Sequence, residues 1–197
     1  FSEEGINSGR GGYNFTAHHN LYANNGERNP MIKNCGRNDI RNNVVYNPFG
    51  NMMHFYISCL DDWGYDQEIN YIGNYGKFGP ESDRSDYLIK HVPDGGNITT
   101  KIYVEGNAHY KRQNDSDPQR NAVDPESWGY IIDNKFSTPS VTTTSATRAY
   151  TDVLQDGGAG NSKYVDCEGN WHNRRDFHDN RIVDGVLSGT PFNGTDG

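Results

Sequence analysis

Residues 18–48 read HHNLYANNGERNPMIKNCGRNDIRNNVVYNP. Two short apolar-alternating segments each carry an asparagine in the same local setting, His19-Asn20-Leu21 and Asn42-Asn43-Val44. Between them lies a tight polar turn, Gly26-Glu27-Arg28-Asn29-Pro30. Glycine permits the tight turn and proline fixes the backbone after it, which suits the display of one cation, Arg28, from a rigid sheet edge.

Working outward, the pattern recurs. Tyr13–Leu21 (YNFTAHHNL), Asp39–Val45 (DIRNNVV), Glu68–Tyr75 (EINYIGNY) and Lys101–Ala108 (KIYVEGNA) share a β-branched or aromatic run, a small or polar residue, and an asparagine. Those asparagines, Asn20, Asn43, Asn74 and Asn107, are spaced by 23, 31 and 33 residues. Such periods predict a solenoid whose rungs each hold two or three strands, with loops of unequal length between them. Stacked asparagines are expected to hydrogen-bond from rung to rung as a ladder. The segments 47–66, 76–86 and 111–127 are long polar loops, the kind that carries binding or interface work on a rigid scaffold.

Composition agrees with many short strands and polar turns. The 197 residues include Gly 23 and Tyr 13 with only 32% hydrophobic residues. Disordered chains share that low hydrophobicity, but aromatics at 12% argue for order. The net charge of −8 excludes a nucleic-acid partner, which calls for a basic face. An acidic polysaccharide would need a local cationic groove or bound metal. No apolar run approaches the roughly 20 residues that span a bilayer, so no membrane partner is expected. Sequons at Asn14, Asn97, Asn114 and Asn193 point to a secreted, glycosylated protein. Of three cysteines, Cys35 and Cys59 are separated by about one repeat and are the expected disulfide, leaving Cys167.

After Pro139 the character changes. Ser145 is placed to cap a short helix over 146–155, with Ala149, Val153 and Leu154 on one side and Gly157-Gly158 as its break. A second helical pattern over 174–186 sets Phe177, Ile182 and Val186 at helical spacing. Residues 1–139 are thus read as rungs with long loops. Residues 140–197 are read as a tail of the same domain, covering the side or end of the solenoid and shielding strand edges.

In their order and spacing, HHNLYANNGERNP, DIRNNVVYN, INYIGNYGKFGP, IYVEGN, AYTDVLQDGGA and RRDFHDNRIVDGV resemble the pectate lyase family. The resemblance implies an all-β, right-handed parallel β-helix. It also implies β-elimination on an acidic polysaccharide such as pectate, with Ca²⁺ neutralising the uronate carboxylate. The family's catalytic arginine before the proline matches Arg28, and its second cation falls at Lys33, with Arg37 also near. A guanidinium is a poor base near its usual pKa of about 13, so it must act as the neutral form or in concert. Lysine at the second position lacks the bidentate fork that matches a carboxylate. The plainer reading of Arg28 is a turn arginine paired with Glu27 or a backbone carbonyl, and of Arg41 an exposed strand-face residue. His18 and His19 alternate across a strand and cannot chelate one ion from one face, so the inward one is expected to be packed.

The family's calcium-binding aspartates lie on rungs before the His-His pair, and only 17 residues precede His18 here. Asp61, Asp62, Asp115 and Asp117 fall elsewhere in the pattern, so the calcium ligands are expected outside this chain. The first rungs are then expected from an upstream segment, a separate chain or a copy of this one. Two other functions compete with the lyase. One is a catalytically inactive, glycosylated extracellular structural or filament-forming protein on the same scaffold. The other is a carbohydrate-binding module using Tyr46, Tyr56 and Tyr65 as stacking platforms.

Overall fold

The computed structural model of the chain describes residues 14–56, 66–92, 99–155, 158, 163–173 and 175–190. They form mostly parallel β-sheet with two short α-helices. The strands are β1 (Thr16–His18), β2 (Leu21–Ala23), β3 (Met31–Ile32), β4 (Gly36–Arg41), β5 (Val44–Tyr46), β6 (Met53–Tyr56), β7 (Gln67–Ile72), β8 (Tyr75–Lys77), β9 (Ile89–Val92), β10 (Thr100–Glu105) and β11 (Ile131–Ile132). The first sheet runs β1-β4-β7-β10-β11, the second β2-β5-β8 and the third β3-β6-β9. The chain therefore visits the three sheets in turn and returns to each, a solenoid-like order. Every neighbouring pair within these sheets is parallel.

The four repeats found in the sequence are stacked rungs. Ala17, Ile40, Tyr71 and Val104 lie in register along the first sheet. They join Tyr22 and Val45 of the second sheet and Ile32 and Phe55 of the third in one buried apolar cluster. Each buried side chain loses water contact against a like residue one rung away, which is how a chain with few apolar residues still makes a core.

The corner between the first and second sheets is the same at each rung. His19, Asn42, Gly73 and Gly106 adopt φ of 55, 51, 64 and 62°, and each precedes a ladder asparagine. The left-handed turn aims that asparagine into the stack. Backbone N–H and Nδ2 of Asn20 both donate to Oδ1 of Asn43, at 3.1 and 2.9 Å. Asn43 donates likewise to Asn74, at 2.9 and 3.0 Å, and Asn74 to Asn107, at 2.8 and 3.0 Å. The expected ladder is present. At Gly73 a Cβ would come within 2.6 Å of Asn42 Nδ2 and 2.8 Å of the Thr144 carbonyl, so both φ and space call for glycine there.

An extended segment, 133–145, crosses the outer face of the first sheet. Asn70 Nδ2 donates to the Phe136 carbonyl and its Oδ1 accepts from the Phe136 amide, each at 3.0 Å. Asn42 does the same with Thr144, at 2.8 and 2.9 Å. Arg41 donates to Thr143 and Thr138 and pairs with Asp39 at 2.7 Å. Arg41 is thus 6% exposed and covered by this strap, which corrects its reading as an exposed strand-face residue.

Helix α1 (Ala146–Leu154) begins at Ser145, whose hydroxyl accepts from the Arg148 amide, and it buries Ala149, Val153 and Leu154 as expected. Helix α2 (Phe177–Ser188) begins in a capping box formed by Asp176 and Asp179. It buries Val183 and Val186, whereas Phe177 is 70% exposed and Ile182 half-buried. The helices pack on the outer side of the second sheet, against Tyr46, Leu21 and Ala23. Lys77 Nζ reaches out to Tyr150 Oη, at 3.1 Å, and to the Val186 carbonyl, at 2.6 Å, fixing α2 near its C-terminus. A hairpin of β12 (Lys163–Val165) and β13 (Trp171–Asn173) stands between them in sequence.

Candidate functional site

The turn quoted at the outset joins the second sheet to the third. Asn24 leaves β2 at φ 56°, Asn25 Nδ2 donates to Asn29 Oδ1 at 2.8 Å, and Arg28 adopts φ 67° before the cis Asn29–Pro30 bond. The amide of Asn29 donates to the Met52 carbonyl at 2.6 Å, which ties the turn to the rung below. A left-handed arginine costs of order 1 kcal/mol, and such residues cluster where a side chain must be aimed.

Arg28 Nε lies 3.2 Å from Glu27 Oε1, the pairing given by the plainer reading. The other carboxylate oxygen, Oε2, is 3.9 Å from Nδ1 of His54. His54 stands on β6 in register with Met31 of β3 and Lys90 of β9. Since Met53 and Phe55 on either side of it enter the core, His54 points to the outer face. Burial, then the positive charges of Arg28 and Lys90, push its pKa down to about 4, so the imidazole is neutral at pH 7. Lys90 is 3.8 Å from Asp124. Lys33, half-buried, follows directly on β3. The arrangement offers cations that can hold carboxylates, beside a neutral imidazole.

Arg37 is elsewhere. It lies on β4 in the first sheet, where Nε meets Glu68 at 3.0 Å and Nη1 donates to the Ser137 carbonyl at 3.0 Å. His18 is exposed on β1 and His19 occupies the left-handed corner, while Ala17 takes the inward place. Neither histidine is therefore the packed, inward residue expected; their Nδ1 atoms are 3.0 Å apart. Tyr46 is buried and its hydroxyl donates to the Thr190 carbonyl at 3.1 Å, so it is no stacking platform. Tyr65 and the side chain of Tyr56 lie outside the described residues.

Among the described residues no group of three His, Cys, Asp or Glu side chains could hold a metal ion. The Asp115 side chain is 96% exposed, and Asp117 accepts from the Gln113 and Asn114 amides. Asp61 and Asp62 lie outside the described residues. Of the sequons, Asn14 and Asn114 are exposed; Asn97 and Asn193 fall outside. Cys35 is buried and disulfide-bonded, Cys167 is an exposed free thiol, and Cys59 is outside the described residues. No described helix is long and apolar enough to cross a membrane.

His54 and Lys90 are the members of this site that the sequence reading missed. The alternations MMHFY and LIKHV mark both as outward residues, but relating them to Met31 needs the rung register across loops of unequal length. No family model, curated protein or solved structure matches the chain.

Proposed function

We propose that the three sheets are the faces of one right-handed parallel β-helix of pectate lyase type, and that the chain is a secreted lyase cleaving an acidic polysaccharide. Supporting the fold is the cyclic visiting of three parallel sheets with an asparagine ladder at one corner. The function rests on one observation above the others. Arg28 is aimed by a left-handed turn onto a sheet face that also carries Lys90 and a neutral His54.

In this reading the uronate carboxylate is held by Lys33 and Lys90, and the C5 proton passes to a guanidine nitrogen of Arg28, which acts as the neutral form or in concert with loss of one of its own protons. The C5–H electron pair becomes the C4–C5 double bond. The C4–O bond breaks, and water protonates the departing glycosidic oxygen. Arg37 takes no part, because it stands on the first sheet whereas His54 and Lys90 stand on the third. The resemblance implies Ca²⁺, but the described residues assemble no ligand set for it. The Cys35–Cys59 disulfide and carbohydrate on the sequons belong to the same reading.

The test is polygalacturonate incubated with calcium and read for near-ultraviolet absorbance of unsaturated products. Wild-type protein is expected to give the signal and Arg28→Ala to lose it by at least about a hundredfold, the scale of a general base. Wild-type protein yielding no unsaturated product would refute the lyase. One observation favours the second reading, an inactive structural protein on the same scaffold: Glu27 already occupies Arg28 at 3.2 Å.

A further inference from the structure

A second site lies apart from Arg28. Beside β8, between the loop that follows it and the first turn of α1, is a cavity of about 510 Å³ lined by Lys77, Phe78, Arg84, His109, Tyr110 and Thr147, among others. Two cations and no carboxylate line it in a chain of net charge −8: Arg84, and Lys77, whose ammonium is held by Tyr150 and the Val186 carbonyl. The nearby acids are turned to other partners. Glu81 accepts from Asn47 Nδ2 at 3.2 Å, and Asp83 accepts from the Ser85 amide at 2.8 Å.

The lining is built from planar groups in contact. The Arg84 guanidinium lies over the Tyr110 ring at 5.4 Å, Tyr110 leans on Phe78 at 5.7 Å, and Phe78 meets His109 edge-on at 5.0 Å. An aromatic face holds Arg84 in place and leaves the N–H groups at its rim for a ligand. His109 is 3% exposed. Its Nδ1 accepts from the Lys111 amide at 3.4 Å, which puts the proton on Nε2. That Nε2 has no hydrogen-bond partner among the described residues, and buried donors are rarely left so. Burial, then the Lys111 charge, keep the imidazole neutral, with a pKa of about 3.

We propose that this cavity is an anion subsite that takes one carboxylate-bearing sugar unit. Its volume is in the range of small-ligand sites, roughly 300–1,000 Å³. The Arg84 fork matches a carboxylate in two contacts; Thr147 and Gln113 offer hydroxyl and amide partners for the sugar. The choice of sugar rests on the function proposed above, whereas the anion chemistry does not.

The full chain is titrated calorimetrically with digalacturonate and, separately, with its methyl ester. Saturable binding of the acid is expected, weakened about tenfold or more by Arg84→Ala, in line with one charge-assisted contact. Tyr110→Ala, which removes the plane under Arg84, is expected to weaken it too, and the ester to bind poorly. Arg28→Ala should leave this binding in place. The subsite is overturned by no binding to wild type, by an Arg84→Ala protein that binds the acid with unchanged affinity and stoichiometry, by an ester that binds as well as the acid, or by loss of every bound equivalent with Arg28→Ala. Arg84-dependent binding in a protein that makes no unsaturated product would end the lyase reading and leave the subsite standing.

Discussion

Asn74 is fully buried, and its side chain serves three rungs. Oδ1 accepts from the backbone and side-chain N–H of Asn43, and Nδ2 donates to Asn107 and to the Ile40 carbonyl at 3.0 Å. Removing it strands donors that water cannot reach, each at about 1–3 kcal/mol. Asn74→Ala should therefore cost about 3 kcal/mol or more in urea unfolding, whereas Asn20→Ala, which stands at the partly exposed end of the ladder, should cost about 1 kcal/mol. Equal losses would mean the ladder is not cooperative. These asparagines were legible because each follows a corner residue suited to positive φ, a signal contained in two adjacent letters. His54 and Lys90 were not, since their approach to Arg28 depends on register across the third sheet.

At the scale of elements, α2 shows how a helix can be foreseen and its face misassigned. The apolar spacing announced it, but the pattern admitted Phe177 to the buried side. Phe177 is the first helical residue after the cap, and the apolar contact is made further along, where Val183 and Val186 meet Tyr46 and Leu154. Val186→Ala is expected to lower stability by about 2 kcal/mol, and Phe177→Ala to change it by no more than about 0.5 kcal/mol. The reverse order, read by thermal unfolding, would refute this packing. The strap 133–145 escaped notice for another reason. It has no apolar period of its own, and its place is dictated by Asn42, Asn70 and Arg41 reaching out from the sheet. Segments held by another element's side chains leave little trace in their own sequence.

For the whole molecule, buried histidines set the response to acid. Burial lowers His54 and His91 to about 4 and His109 to about 3, from an ordinary value of 6.5. The unfolded chain therefore binds more protons than the folded one below pH 6.5. Stability present above that pH is lost as pH falls toward 4, by on the order of 1 kcal/mol per histidine per pH unit. Asp86, whose carboxyl is held above its ordinary value chiefly by burial, acts in the opposite sense. The urea midpoint should fall clearly between pH 7 and pH 5, and His91→Phe should reduce that fall. A midpoint unchanged over this interval would show that the imidazoles gain water or partners in solution.

The corner between the first and second sheets has a fixed length of two residues, His19-Asn20, Asn42-Asn43 and Gly73-Asn74, while the other two connections differ from rung to rung. One seam of the coil is hemmed and cannot be let out without breaking the stitch of amides along it. Insertions and deletions must therefore gather on the opposite sides, where the arginine turn sits. Chains sharing these stacked sheets can lengthen those free margins with the seam left as it was.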